Sequence, residues 1–361
     1  MELVLILGAI IISFILVVIT IPPVIRIAEI KKLYEPFEQR KIHTKVVPPL
    51  GGVAIFIAFI IGTVIATDGL PFNSLKYIIT AVIIMFFIGL KDDIYIISPG
   101  KKFMAQLIAA ILLIVLGNIR FTNLHGIFGI HEIGYLTSIS ITLLIMIGII
   151  NAFNLIDGID GLASGLAILS SSVFGTWFYL TGNYQFSIMA FALMGSLMAF
   201  FLFNVFGDKN KMFMGDTGSL IIGIVLATLV IQFNELNLVS KSYSLSSTPA
   251  FSFAVVSIPV LDTLRVFLLR ITKKKSPFSP DRNHVHHRLL TLIPDSHLKV
   301  TLIIISANIL LLIAGFLLNF LEWNSNVQLF LLVFIGMLIS YIPSLILKSK
   351  KAKEKLSTVS A

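Results

Sequence analysis

Cysteine is absent from this 361-residue chain. Disulfides and thiolate metal sites are thereby excluded, although compartment is not decided. Charge is scarce as well. Asp, Glu, Lys and Arg make up 12% of the residues, roughly half the share of an ordinary soluble domain, while 57% are hydrophobic. That balance excludes a soluble globule and indicates a membrane protein. No HExxH zinc pattern occurs. The start, Met1-Glu2, lacks a basic region and Pro22-Pro23 stand where a small-residue cleavage site would be, so the first apolar run is expected to be retained.

What is present is a series of apolar runs, each read as long enough for a bilayer core. Eleven candidate spans are expected, over 3–21, 50–67, 75–90, 103–116, 136–152, 162–180, 186–206, 217–233, 251–269, 300–320 and 327–347. The fourth is the shortest. The fold class is therefore an all-α polytopic membrane protein. One transmembrane domain covers 1–348, with loops at 22–49, 91–102, 153–161, 207–216 and 270–299, followed by a basic tail at 349–361 read as unstructured. Lys and Arg set the orientation. Of the 27, only Lys76, Arg120 and Lys241 lie on the side opposite those loops. The positive-inside rule then puts the amino terminus outside and the carboxyl terminus in the cytoplasm. The net charge of +9 is explained by this asymmetry, and nucleic acid is not expected as a partner.

Polar residues cluster where spans end. The stretch NAFNLIDGIDG at 151–161 places Asn151, Asn154, Asp157 and Asp160 at three-residue steps beside an apolar run. On a helix such steps turn about 300° each and keep the four on one broad face, though Gly158 and Gly161 loosen the backbone. A polar seam between helices and a ligand site both fit; the density of amides and acids favours the site. Asp92 and Asp93 are adjacent and point about 100° apart on a helix. With Lys101 and Lys102 nearby they suit divalent-metal and phosphate chemistry, or else a balanced helix end. In RKIHTKVVPPLGG, residues 40–52, Arg40, Lys41, His43 and Lys45 form a basic patch before Gly51-Gly52, whose amides are expected to be uncovered. Such a patch fits a phosphate or anionic headgroups equally. Asp216, in GDTGS, is expected beside a helix start, as a cap or as part of a site. The segment 282–288 carries Arg282, His284, His286, His287 and Arg288, donors suited to a pyrophosphate. His125 and His131 read as loop residues, and His297 as carrying no chemistry.

All these constellations fall on the cytoplasmic side. That arrangement suits a reaction between a soluble phosphorylated donor and a lipid acceptor. A secondary transporter or lipid flippase is the alternative, and the apparent lack of ionisable residues at span centres weighs against it. LKDDIY at 90–95, NAFNLIDGIDGLASG at 151–165, FMGDTGSL at 213–220 and PDRNHVHHRLL at 280–290 together resemble the polyprenyl-phosphate N-acetylhexosamine-1-phosphate transferases. The resemblance runs over nearly the whole chain. The PDRNHVHHR form is similar to the branch that starts teichoic acid, O-antigen and enterobacterial common antigen carriers.

The resemblance implies transfer of a sugar 1-phosphate, most simply N-acetylglucosamine 1-phosphate, from a UDP-N-acetylhexosamine to undecaprenyl phosphate, with release of UMP. It implies Mg²⁺, with Mn²⁺ as a substitute, held by Asn154 and Asp216. Asp92 and Asp93 are then expected at the lipid phosphate, and Gly158 and Asp160 at the uracil with Asp157 alongside. Lys45 and Lys102 are expected at phosphates, and Arg282, His284, His286, His287 and Arg288 at the donor. Asn204, in FNVFGDKNKMFMGD, is expected to bind substrate. The implied setting is a bacterial plasma membrane with the site facing the cytoplasm; a homodimer is left open.

Overall fold

A computed structural model describes residues 1–33, 47–240, 243–274, 283–294 and 296–359, with side chains as far as Lys350. Lys45 and Arg282 lie outside the described residues, as do Arg40, Lys41 and His43. In chain order the elements are helix α1 (Glu2–Lys31), α2 (Gly51–Ala66), α3 (Leu75–Ile94) and α4 (Pro99–Ile111), the last continued by a π-helical turn at Leu112–Leu116. Strands β1 (Asn123–Ile127) and β2 (Ile130–Glu132) form an antiparallel hairpin. Then come α5 (Tyr135–Ile156), α6 (Leu162–Leu180), α7 (Tyr184–Phe206), α8 (Gly215–Asn237), α9 (Thr248–Val255), α10 (Ser257–Thr272), α11 (Val285–Leu292), α12 (His297–Phe320) and α13 (Ser325–Val359).

Eight helices among the described residues are long and apolar enough to cross a membrane, nine if the bent pair α9–α10 counts as one span. The chain is thus a mostly helical polytopic membrane protein. The expected count of eleven included α2, which has 16 residues, and α3, whose Lys76, Lys91, Asp92 and Asp93 break its apolar character. Other boundaries differ too. Helix α1 runs through Pro22 and Pro23 to Lys31, because a proline removes one ladder bond but neighbouring packing can carry the helix past it. Helix α13 passes Pro343 and continues to Val359, where an unstructured tail was expected.

Helix α8 is the axis of the fold, buried from Thr217 to Ile231 and packed against α2, α3, α5, α6 and α9. Between apolar helices in lipid, close backbone approach replaces hydrophobic burial as the source of attraction. Two glycines permit it here. A Cβ on Gly52 would lie 2.2 Å from the Gly218 nitrogen, and one on Gly89 would lie 2.5 Å from the Thr217 Cα. Helices α2 and α3 therefore meet the first turn of α8 at backbone distance. A second layer of α1, α2, α6 and α7 packs alongside.

The run 251–269 is not one straight span. Helices α9 and α10 meet at an angle of 82°. Pro259 lacks the N–H that would bond to the Val255 carbonyl, so the ladder fails there. The freed groups find partners from α12 and α6. Asn308 donates Nδ2 to the Val255 oxygen at 3.1 Å and accepts at Oδ1 from the Ile258 nitrogen at 3.1 Å, while Ser170 Oγ donates to the Val255 oxygen at 3.2 Å. Buried polar groups at a helix break must be satisfied this way in the absence of water.

Candidate active site at one end of the helix bundle

Helices α3, α5 and α7 end, and α4, α6 and α8 begin, at one end of the bundle. This brings residues distant in sequence within contact. At the centre stands the Lys102 ammonium, from the first turn of α4. Its Nζ is 2.6 Å from Asp216 Oδ1, 3.2 Å from Asn154 Oδ1 and 3.3 Å from Asp92 Oδ2. Asn154 Nδ2 donates to Asp216 Oδ1 and, at 2.9 Å, to Ser219 Oγ. One turn deeper, Gln106 and Asn151 exchange amide hydrogen bonds, Asn151 Nδ2 to Gln106 Oε1 at 2.9 Å. The two amides orient α4 and α5 so that Lys102 and Asn154 face each other.

Asp92 and Asp93 diverge. Asp92 accepts from the Ile97 nitrogen at 2.9 Å and turns its other oxygen to Lys102. Asp93 points at α8, which has no capping side chain of its own. It accepts from the Asp216 nitrogen at 2.6 Å, from the Thr217 nitrogen at 3.0 Å and from Thr217 Oγ1. A carboxylate from α3 thus serves as the N-cap of α8 and complements its dipole. The α8 entrance is also held from the α2 side. Gly51 and Gly52 donate to the Phe213 and Met214 oxygens, both at 2.9 Å. Those amides, expected to be uncovered, are therefore taken, and the basic residues 40–45 expected beside them lie outside the described residues.

The 151–161 stretch bridges two helices, since α5 ends at Ile156 and Gly161, at φ 76°, starts α6. Asp157 takes no hydrogen bond from any described residue. Burial, reinforced by Asp216, Asp93 and Asp160, raises its carboxyl to about 8. Asp160 behaves oppositely: burial pushes it up, but His297 and Lys211 outweigh this and hold it below the usual carboxylate range. Its Oδ2 lies 2.7 Å from Lys211 Nζ and 3.0 Å from His297 Nδ1. His297 thus takes part in the site's electrostatics. Asn204 commits both ends of its amide to backbone, accepting from the Gly161 nitrogen at 2.6 Å and donating to the Met212 oxygen at 2.9 Å. It braces the α5–α6 turn against the segment leading into α8.

The histidines arrive on α11. A Cβ on Gly158 would lie 2.2 Å from His286 Nε2, so that ring sits directly on the glycine. His286 is 1% exposed and neither ring nitrogen has a partner among the described residues. Burial lowers its pKa to about 3, with the His287 charge adding to the shift. The His284 and His286 rings stack at 5.7 Å, and His287 lies 4.2 Å from His286. Arg288 donates to Ser344 Oγ on α13 and, at 3.1 Å, to Asn283 Oδ1. Behind them is a group that sequence reasoning missed. Asp262, within the run taken as a plain span, is fully buried and bound to His284, Val285 and Arg265. A lone carboxylate in an apolar run was the available signal.

No three carboxylates or imidazoles converge on one metal-sized point among the described residues. The donors around Lys102 are nonetheless all oxygens, from Asp92, Asn154 and Asp216, and they already surround a cation, its ammonium. That is a hard-donor set of the kind Mg²⁺ prefers when substrate oxygens complete its shell.

Fold and site together define a polytopic membrane protein with an acid, amide and lysine cage at one end of its bundle, suited to handling phosphates. A family model described as glycosyl transferase family 4 matches residues 75–234, which contain the cage. A "Probable undecaprenyl-phosphate N-acetylglucosaminyl 1-phosphate transferase" of Bacillus subtilis (strain 168) is 31% identical over 340 residues, covering 94% of this chain and 92% of the relative. An undecaprenyl-phosphate alpha-N-acetylglucosaminyl 1-phosphate transferase of Escherichia coli (strain K12) is 31% identical over 258 residues, 70% of this chain and 67% of its own. One of the same name from Yersinia pestis is 30% identical over 305 residues, 82% and 80%. The chain belongs to glycosyl transferase family 4.

Proposed function

We propose that this protein transfers N-acetylglucosamine 1-phosphate from its UDP-sugar to undecaprenyl phosphate, releasing UMP, as the first membrane step of a cell-envelope polysaccharide. The relatives' names supply the lipid and the sugar. The observation in this chain that carries the reading is the oxygen cage closed around the Lys102 ammonium. An oxygen of the lipid phosphate attacks the phosphorus that carries the sugar. The bond from that phosphorus to the bridging oxygen breaks, and UMP leaves with the electron pair. Such a displacement needs neutralised, well-placed anions and little covalent chemistry from the protein.

Asp216 and Asn154, with Asp157, which takes no hydrogen bond from a described residue, would hold Mg²⁺ or Mn²⁺, which supplies charge neutralisation at the pyrophosphate. Lys102 provides a second positive charge at the same point. Asp92, free of the capping duty that occupies Asp93, is the carboxylate placed to meet the lipid phosphate and take its last proton. Asp93 acts one step back, fixing the α8 entrance so that Asp216 faces Lys102. The 157–161 turn receives the uracil; Asp160 Oδ1 takes no hydrogen bond from a described residue and is the acceptor left for the base N–H. His284, His286, His287 and Arg288, with Arg282 and Lys45, contact the donor's sugar and phosphates.

The eleven-span topology, with the amino terminus outside and the site facing the cytoplasm of a bacterial plasma membrane, belongs to the same proposal. It is supported by the helix ends gathered at the site and by the Lys and Arg asymmetry. The test is UMP release by purified protein from UDP-N-acetylglucosamine, undecaprenyl phosphate and Mg²⁺, beside Asp216→Ala and an EDTA control. UMP that depends on lipid and metal and vanishes in the variant is expected. Folded protein that releases none from any UDP-N-acetylhexosamine would overturn the reading.

A further inference from the structure

One heavily bonded carboxylate near the site touches none of the cage. Asp262 lies on the second turn of α10, is 0% exposed, and follows the apolar stretch 258–261. A buried charge of that kind is costly and persists only with close partners. Two of its three partners come from the segment that carries the histidines. Oδ2 receives His284 Nδ1 at 2.8 Å, and Oδ1 receives the Val285 nitrogen at 3.0 Å. Arg265, one turn along α10, donates Nη2 to Asp262 Oδ1 at 2.7 Å and to the Asn283 carbonyl at 2.6 Å. Every residue from Asn283 to Val285 is thus tied to α10 through this one pair.

Two consequences follow for His284. A carboxylate against Nδ1 keeps the proton on that nitrogen and leaves Nε2 as the free ring atom. Nε2 has no partner among the described residues. The ring is also fixed in plane, stacked at 14° on His286, which in turn rests on Gly158 of the turn that leads to Asp160. We infer that Asp262 is a positioning residue for the donor-binding histidines: it sets the tautomer and orientation of His284 and seats α11 against the 157–161 turn. The inference rests on the transferase reading above, in which those histidines meet the UDP-sugar.

Asp262→Asn is the incisive variant. The amide oxygen still accepts from Val285 and Arg265, but its NH2 replaces Oδ2 and opposes the proton on His284 Nδ1. The KM for UDP-N-acetylglucosamine is expected to rise about tenfold or more, the scale of one charge-assisted hydrogen bond lost. The KM for undecaprenyl phosphate should stay where it is. A merely structural defect would lower kcat by thinning the active population and leave both KM values unchanged. Combined with His284→Gln, the effect should not grow beyond that of His284→Gln alone, because residues acting through one another are non-additive.

Val285→Pro guards against a variant that fails to fold. It deletes one N–H to Asp262, proline is tolerated at the first position of a helix, and His284 at φ −60° and ψ 150° already has the backbone a following proline demands. A smaller rise in the same KM is expected from it. The inference is overturned if folded Asp262→Asn, or Val285→Pro where the first does not fold, binds the UDP-sugar like the parent, or if the Asp262 and His284 effects multiply. An inactive parent protein would instead sink the transferase reading itself, so the two failures are distinct.

Discussion

At the scale of single residues, the adjacent pair Asp92 and Asp93 divides two duties that the family resemblance assigns jointly. Asp93 accepts three hydrogen bonds from the first turn of α8, whereas Asp92 faces Lys102 and one backbone N–H. Asp93→Ala should lower stability by roughly 1–3 kcal/mol, the range for a lost cap with buried donors left unmet. Asp92→Asn keeps an acceptor for Ile97 and should change stability by about 0.5 kcal/mol or less. Its UMP release should nonetheless fall about 100-fold or more if Asp92 takes the lipid proton. Thermal unfolding in detergent beside the UMP assay separates the two; equal losses of stability would show the division to be false. The acids and amides of the cage are legible in the sequence because polar residues at span ends are conspicuous. Which of them holds a helix and which is left open is not, since the donors for Asp93 arrive over 120 residues later in the chain. Asn204 shows the same limit, its amide committed to backbone from Gly161 and Met212.

At the scale of elements, the break between α9 and α10 decides where Asp262 and the histidines stand. Hydropathy could not disclose it, because Pro259 sits in an apolar run and prolines are tolerated inside spans, as Pro22 and Pro343 are in this same chain. What differs at 259 is the set of outside partners ready to receive the freed groups. Asn308, fully buried on α12, both donates to Val255 and accepts from Ile258. Asn308→Leu keeps the branched shape and removes every hydrogen bond of the amide, so stability should drop by roughly 1–3 kcal/mol. Because α10 then loses its fixed direction, the KM for the UDP-sugar should rise as it does for Asp262→Asn. Ser170→Ala, which removes only one of two donors to the Val255 oxygen, should have the smaller effect on both. A variant at 308 as stable as the parent in a melting experiment would mean that the break is held by packing alone.

At the scale of the whole molecule, apolar runs and motif order were enough to find nearly every helix, because a bilayer requires long runs and the chain has little charge to obscure them. They did not find the hairpin at 123–132, whose strands are short, or the continuation of α13 beyond the apolar run, where helix propensity and not hydropathy decides the boundary. Orientation rests on Lys and Arg placement together with the gathering of α3, α5 and α7 ends at the site, and the absence of cysteine makes it directly testable. Asp68, between α2 and α3, and Lys209, between α7 and α8, lie at opposite ends of the bundle in the proposed topology. A single Asp68→Cys should react with a membrane-impermeant maleimide added to intact cells, or to spheroplasts where an outer membrane intervenes. A single Lys209→Cys should react only after the plasma membrane is opened. Neither position takes part in the cage, so UMP release by each variant reports whether the labelled protein is the folded one. The reverse pattern would place the UDP-sugar site on the outer face, away from any cytoplasmic pool of nucleotide sugar, and the transferase could not then draw its donor as proposed.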